Sequence, residues 1–380
     1  MAAREVADPN VLVRRVAAFG ADRLDAGALT VPESGWREAL AAIARQRLTG
    51  LAMAAWKAGR LRLSAQQAEE LLEAQRHAMI CALQLERRLL ELAAAFEEAK
   101  LGYVVLKGSA VAHASYPDPS WRPFGDLDVL VRSSEFASAA GVLTELGFRR
   151  RYAEPRPGFV ERFGHSALHV SEEGAEVDLH RAPIAGPFGQ WIRSNELFEM
   201  TSAFRLGGRD LPRLSDSALL VHACVHASLG ARPPLFLPLR DVVQTAGSPG
   251  VDWGLIRDLA ARWKLRVVFA HAFDSAAREL NVDLSEVAES LTTIPFGRRE
   301  RRALEAYTTG RRDRGGRALE TLWAIEGMRA KAVYARGLLL PDREFLTART
   351  GITRRTAYLR RWRIPLRWLA ARLGDARTRG

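Results

Sequence analysis

The chain has 380 residues, 48% of them hydrophobic and 26% charged, and carries a formal net charge of +12; that is enough to bury a large core in two or three domains. Two lone cysteines, Cys81 and Cys224, exclude a disulfide framework and a cysteine-rich zinc site. No leader of signal-peptide type and no apolar run of membrane-spanning length occurs, so the expectation is a cytoplasmic protein without a transmembrane segment.

Residues 1–100 read as a helical region. Leu40, Ile43, Leu48 and Leu51 form a helical stripe between Trp36 and Lys57. Ser64-Ala65-Gln66-Gln67 has the form of a capping box, and no glycine or proline interrupts the chain from there to Lys100. In the next stretch, 101–195, the pattern turns mixed. Tyr103 to Leu106 reads as a strand, Lys107-Gly108-Ser109 as a tight turn, and Ala110 to Ser115 as a short helix stopped by Tyr116-Pro117-Asp118-Pro119. Asp126 to Val131 reads as a second strand. Ser134 is placed to cap a helix over Glu135 to Leu146 that ends at Gly147. His165 to Val170 and Ala175 to His180 read as a hairpin. Residues 196–340 read as helical again, with helices expected over Leu219 to Leu229, Leu235 to Thr245, Trp253 to Lys264 and Val267 to Leu280, and a break at Gly207-Gly208. Residues 341–380 form a basic tail: from Thr353 onward, nine arginines face the single acid Asp375, so eight of the twelve net charges lie there. The expected fold class is therefore α+β, a small mixed-sheet core between N-terminal and C-terminal helical regions.

The chemistry concentrates in the mixed stretch. Residues two apart on a strand point the same way, so Asp126 and Asp128 project together, and two adjacent carboxylates favour a divalent cation between them. Backbone N–H groups and a hydroxyl at the Gly108-Ser109 turn suit phosphate. On the hairpin, Glu176, Asp178 and His180 alternate with Val177 and Leu179, which places Asp178 as a third acid, either a metal ligand or the group that takes the acceptor's proton. His180, two residues on and on the same face, has a place behind the acids or against substrate. Lys107 and Arg122 are candidate phosphate-binding cations. Together these parts make a site for metal-dependent nucleotide chemistry. His222 and His226 stand at i, i+4 on a helix with no third ligand in view, which points to helix packing.

Leu-Lys-Gly-Ser, Tyr-Pro-Asp-Pro, Arg122-Pro-Phe-Gly-Asp-Leu-Asp-Val-Leu-Val and Val-Asp-Leu-His together resemble the uncharacterised nucleotidyltransferase family, a branch of the polymerase-beta-like superfamily. The resemblance spans about 101–182 and becomes diffuse in the flanking helices, where Leu239-Arg240-Asp241-Val242 is also similar. It implies Mg²⁺-dependent transfer of a nucleoside monophosphate from an NTP, ATP among them, to a hydroxyl or similar nucleophile, with release of pyrophosphate. Gly108 and Ser109 are then the triphosphate contacts, and Asp126, Asp128 and Asp178 the ligands of two Mg²⁺ ions, with Mn²⁺ as the alternative. Minimal members have a shorter spacer than the sixteen residues between Ser109 and Asp126. The extra length falls in the Tyr116 to Gly125 loop, expected beside the triphosphate with Arg122 as a guanidinium clamp.

The acceptor stays open among a small molecule, tRNA or other RNA, and a protein hydroxyl. The tail has three readings: RNA binding, peripheral contact with an anionic membrane surface, and docking on the protein's own surface. The competing reading of the whole chain is a non-catalytic nucleotide-binding or interaction protein on the same fold.

Overall fold

The computed structural model describes residues 4–5, 8–21, 27–230, 235–284, 296–308 and 314–350. The basic tail from Thr353 lies outside them. The fold is α+β, as expected.

Four helices precede the sheet: α1 (Pro9–Ala18), α2 (Glu33–Arg45), α3 (Thr49–Lys57) and α4 (Ala65–Glu98). The single stripe expected from Trp36 to Lys57 is broken at Arg47, which takes a left-handed conformation, φ 57°. The chain turns there because Leu48 N–H reaches the carbonyl of Ile43, the hydrogen-bond pattern that closes many helix ends. α4 starts on the expected capping box: Ser64 accepts from Gln67 N–H, and the Gln67 side chain accepts from Ser64 N–H. Its 34 residues run unbroken.

The sheet has seven strands: β1 (Tyr103–Val105), β2 (Leu127–Val131), β3 (Arg149–Arg150), β4 (Ser166–Val170), β5 (Glu176–His180), β6 (Thr201–Leu206) and β7 (Arg209–Leu214). Their order is β3-β4-β5-β2-β1-β7-β6. β2 pairs parallel with β5 and antiparallel with β1, while β7 runs parallel to β1. The last two strands correct the expectation of helix beyond residue 195. Gly207 and Gly208, read from sequence as a break, have φ of 54° and 81° and join β6 to β7 as a two-residue hairpin turn, a geometry that glycine adopts without steric cost.

Strand alternation gives the sheet two different faces. Tyr103, Val105, Leu127, Val129, Val131, Val177 and Leu179 pack with Leu89, Leu92 and Phe96 of α4 and with α6 (Phe136–Glu145). A single turn of 3-10 helix at Ser133–Glu135 leads into α6 with no side-chain cap, so Ser134 does not play the capping role expected of it; the short helices α7 (Phe159–Phe163) and α8 (Pro187–Trp191) follow later in the chain. Val104, Leu106 and Leu130 face the other way, into a core shared with the C-terminal helices α9 (Asp216–Val225), α10 (Phe236–Ala246), α11 (Trp253–Arg262) and α12 (Arg266–Leu280), which keep close to the expected bounds. Each fully buried leucine or phenylalanine contributes roughly 1.5–3 kcal/mol, so both faces are strongly held. No helix among the described residues is long and apolar enough to cross a membrane.

Candidate active site

The charged groups lie on the second face, at the end of β2 where the chain enters the strand. Parallel pairing puts Asp128 directly beside Asp178 and Leu130 beside His180. Asp128, Asp178 and His180 therefore converge: one potential ligand atom from each lies within 4.8 Å of the others. Asp126 stands one residue before β2 and is more exposed than Asp128, 28% against 2% of the side chain. Lys107 joins the two, its ammonium 3.4 Å from Asp126 Oδ2 and 2.7 Å from Asp128 Oδ2. The sequence-expected acids are thus brought together in two steps, Asp128 with Asp178 through the sheet and Asp126 through Lys107.

His180 is closer to the chemistry than a place behind the acids would require. Its Nε2 is 3.0 Å from Asp128 Oδ1 and 3.3 Å from Asp178 Oδ2, and its Nδ1 is 3.2 Å from the Ala182 carbonyl. Three acceptors around one ring require both nitrogens to donate. Burial alone would lower the His180 pKa, but the Asp178 charge and the hydrogen bonds to both acids outweigh it, and the pKa is pushed up to about 10. His180 is therefore an imidazolium at neutral pH. Asp128 responds in the opposite sense: burial opposes its ionisation, while Lys107 and then His180 drive its pKa far below the usual carboxylate range. Asp178 is also lowered, against burial, chiefly by the His180 charge.

His165 stands edge-on to His180, ring centroids 5.7 Å apart. Burial and then the neighbouring His180 charge lower its pKa to about 4, so the pair carries a single positive charge. His222, buried in α9, and His226, in the turn of π-helix that follows it, stack their rings 6.3 Å apart, in keeping with the packing role expected of them.

The turn before α5 (Ser109–Ser115) is shaped by Gly108, whose φ is 60° and whose missing Cβ would meet the Asp126 carbonyl and the Phe124 ring at 3.4 Å. The dihedral favours glycine; the contacts of an added Cβ would be ordinary van der Waals ones. Ser109 is buried, and its hydroxyl is 3.4 Å from Glu86 Oε1 of α4, which also lies 2.7 Å from His113 Nε2. Glu86 escaped the sequence reading because nothing local links residue 86 to a turn at 109.

Arg122 is placed differently from the expected phosphate clamp. Its guanidinium is buried and forked onto Asp241 of α10, Nε to Oδ1 at 2.8 Å and Nη2 to Oδ2 at 2.6 Å, and Nη1 donates to the Gly108 carbonyl at 3.3 Å. Tyr116 Oη donates to the same Asp241 Oδ1 at 2.9 Å. The physical reason is the docking of the long loop. A Cβ at Gly50 in α3 would overlap the Ser120 carbonyl, and Gln75 of α4 donates to that carbonyl at 2.9 Å. Held against α3 and α4, the loop turns Arg122 inward beneath the Gly108 turn. The Leu239-Arg240-Asp241-Val242 segment thereby gains a specific job, since Asp241 neutralises Arg122.

A further residue missed from sequence is Arg47, in the α2–α3 turn, whose Nη1 is 3.1 Å from Asp126 Oδ1. Its position at a helix end resembles any other helix end, and only the fold brings it to residue 126.

A divalent ion fits the donors present. Asp128 Oδ2 is buried without a hydrogen-bond partner even though the Lys107 ammonium is 2.7 Å away. The contact pairs the two charges without completing a hydrogen bond to that oxygen. That oxygen keeps a lone pair for a cation, and carboxylate oxygens are the donors that Mg²⁺ and Mn²⁺ prefer.

No curated protein matches the chain. Among solved structures, a lincosamide antibiotic adenylyltransferase, LnuA, in its lincomycin-bound form, is 14% identical with a TM-score of 0.29, covering 42% of this chain and 96% of that one. An antigenic nucleotidyltransferase-like protein from Paracoccidioides brasiliensis is 15% identical with a TM-score of 0.33, covering 54% of this chain and 96% of that one. Likenesses this distant carry no argument about substrate. The sequence pattern of the family described as "Uncharacterised nucleotidyltransferase" matches residues 32–281, well over half the chain. Sheet, acids and turn all fall inside that match, and the chain belongs to this nucleotidyltransferase family.

Proposed function

We propose that the protein transfers a nucleoside monophosphate from an NTP to a hydroxyl or similar nucleophile, with Asp126, Asp128 and Asp178 as ligands for two Mg²⁺ ions. The observation that carries this reading is the side-by-side register of Asp128 and Asp178 on parallel strands, with a buried Asp128 oxygen lacking a hydrogen bond. Bound Mg²⁺ or Mn²⁺ would neutralise charge developing on the triphosphate and lower the pKa of the acceptor hydroxyl. The chain's own residues do the rest. Gly108 and Ser109 contact the triphosphate, with the turn braced from below by Arg122 and from the side by Glu86. Lys107 lies between Asp126 and Asp128 and supplies positive charge beside the phosphates. His180 holds Asp128 and Asp178 in place and keeps both ionised.

In the transfer, the acceptor oxygen forms a bond to the α-phosphorus, the bond from that phosphorus to its bridging oxygen breaks, and pyrophosphate leaves. The acceptor's proton passes to water, because Asp178, a metal ligand in this reading and held below its usual pKa by His180, is a poor base. Because all three acids and the Gly-Ser turn are present together, a catalytic role is favoured over nucleotide sensing.

The test is incubation with α-labelled NTPs, Mg²⁺ and separate fractions of total tRNA, cell protein and small-molecule extract. Wild type is expected to label one fraction and release pyrophosphate, and the Asp126→Asn/Asp128→Asn variant to do neither. A wild type with no NTP–Mg²⁺ binding and no turnover would sink the enzyme reading. An RNA fraction that takes label would bring the tail into play.

A further inference from the structure

We propose that Arg47, supplied by the N-terminal helical region, is a phosphate-binding residue of the nucleotide site and exchanges Asp126 for the triphosphate when nucleotide enters. The inference rests on the nucleotidyltransferase reading above and adds a substrate contact to it.

The backbone alone is not the argument. Lys100 and Lys264 also take left-handed conformations, each following the end of a helix, so a cationic residue there needs no special function. What sets Arg47 apart is where its side chain goes. It crosses to Asp126, with Nη1 3.1 Å from Oδ1. On the way the guanidinium lies over Gly125, where an added Cβ would come within 2.9 Å of Nη2 and 3.3 Å of Cζ. An added Cβ there would meet only the far end of this flexible side chain, so Gly125 leaves the guanidinium room without requiring it. The ion pair to Asp126, across the small Gly125, places the guanidinium beside the acids.

The platform beneath is rigid. Ile43, Leu48 and Leu51 are fully buried, and the Gln46 side chain accepts a hydrogen bond from Phe236 N–H at the start of α10, 2.9 Å. The α2–α3 turn is thus held by the C-terminal helices on one side and reaches the acids on the other.

Charge then decides the role. Asp126 carries one negative charge but meets two cations, Arg47 on Oδ1 and Lys107 on Oδ2. Lys107 is largely enclosed between Asp126 and Asp128, whereas about half of the Arg47 side chain, 48%, is exposed. A metal ion that coordinates Asp126 competes with Arg47 for the same carboxylate. The freed guanidinium remains beside the site, and its planar fork matches phosphate oxygens better than an ammonium does. Arg47 therefore guards the acid against lone cations and clamps the nucleotide once both arrive.

The experiment is calorimetric titration of wild type, Arg47→Ala, Arg47→Lys and Gly125→Ala with three probes: Mn²⁺ alone, Mg²⁺-tripolyphosphate, and Mg²⁺ with a non-hydrolysable ATP analogue. Loss of a charge-assisted phosphate contact predicts roughly tenfold or greater weakening of both polyphosphate probes in Arg47→Ala. Mn²⁺ alone should bind that variant as tightly as wild type or more tightly. Arg47→Lys should fall between, and Gly125→Ala, whose added methyl the flexible arginine can sidestep, should stay closer to wild type than Arg47→Ala. The proposal is overturned if Arg47→Ala binds tripolyphosphate within about twofold of wild type, or if Mn²⁺ alone is weakened as much as the polyphosphates. A wild type that binds no polyphosphate with Mg²⁺ overturns the nucleotidyltransferase reading as well, so the two failures are distinguishable.

Discussion

Two charged clusters flank the Gly108 turn and are built on opposite principles. Below it, Arg122, Asp241 and Tyr116 are buried, and both Asp241 oxygens are matched by donors in fork geometry. In front of it, Asp126, Asp128 and Asp178 crowd around Lys107 and His180, Arg47 reaches in from an exposed turn, and Asp128 Oδ2 stays without a hydrogen bond. The first cluster is complete and has no reason to bind anything. The second keeps carboxylate oxygens close together, an arrangement that a divalent cation relieves. Charge content alone would not separate them, but the matching of donors to acceptors does.

The sharpest way to break this contrast is to open the complete cluster. Asp241→Ala leaves the Arg122 guanidinium buried without its counter-ion, which should cost about 3–5 kcal/mol of folding stability in denaturant titration. A loss below about 1 kcal/mol would place Arg122 in contact with solvent and return it to the list of phosphate ligands. Tyr116→Phe removes one hydrogen bond to a charged group and should cost about 1.5–3 kcal/mol by the same measurement.

The site cluster should reveal itself through pH. His165 and His226 are neutral in the fold, with pKa values lowered by burial to about 4 from 6.5. Between pH 6.5 and 4 the unfolded chain takes up protons that the folded chain refuses, so stability falls as pH drops through that window. His180 works the other way. Its pKa of about 10 means that the folded chain keeps a proton which the unfolded chain has lost, so its contribution is full below pH 6.5 and disappears as pH rises towards 10. Thermal unfolding of metal-free protein should therefore show greatest stability near neutral pH, and His180→Gln should flatten the alkaline side. An unchanged alkaline side would mean that His180 is not the cation between Asp128 and Asp178. The smallest effect belongs to Arg47→Ala, which breaks a half-exposed pair and should shift stability by less than about 1 kcal/mol, whatever it does to nucleotide binding.

The legible part of this site was the part that is local in sequence. Gly-Ser, Asp-x-Asp and the hairpin acid follow from strand alternation and a tight turn, and the structure sets Asp128 beside Asp178 on neighbouring strands while Asp126 stands one residue before β2. Arg47 from the α2–α3 turn, Glu86 from α4 and Asp241 from α10 reach the site across separations of 79, 23 and 119 residues to their partners Asp126, Ser109 and Arg122. No spacing rule can announce such contacts. Arg122 was read in the right place with the wrong direction, because the loop's docking on α3 and α4 decides which way it turns. The β6–β7 hairpin is a different case. Its Gly207-Gly208 signal was present, but Arg205, Arg209 and Arg213 in the flanking strands masked the alternation of an edge hairpin.

The central claim is that Asp126, Asp128 and Asp178 form a metal centre which the nucleotide completes. Counting bound Mn²⁺ by electron paramagnetic resonance, with and without a non-hydrolysable NTP analogue, tests it most directly in wild type, Asp128→Asn and Asp178→Asn. The account predicts a second Mn²⁺ bound by wild type when the analogue is added, and its loss in both variants while their thermal unfolding remains cooperative. Equal Mn²⁺ binding in all three proteins, with or without the analogue, would contradict it.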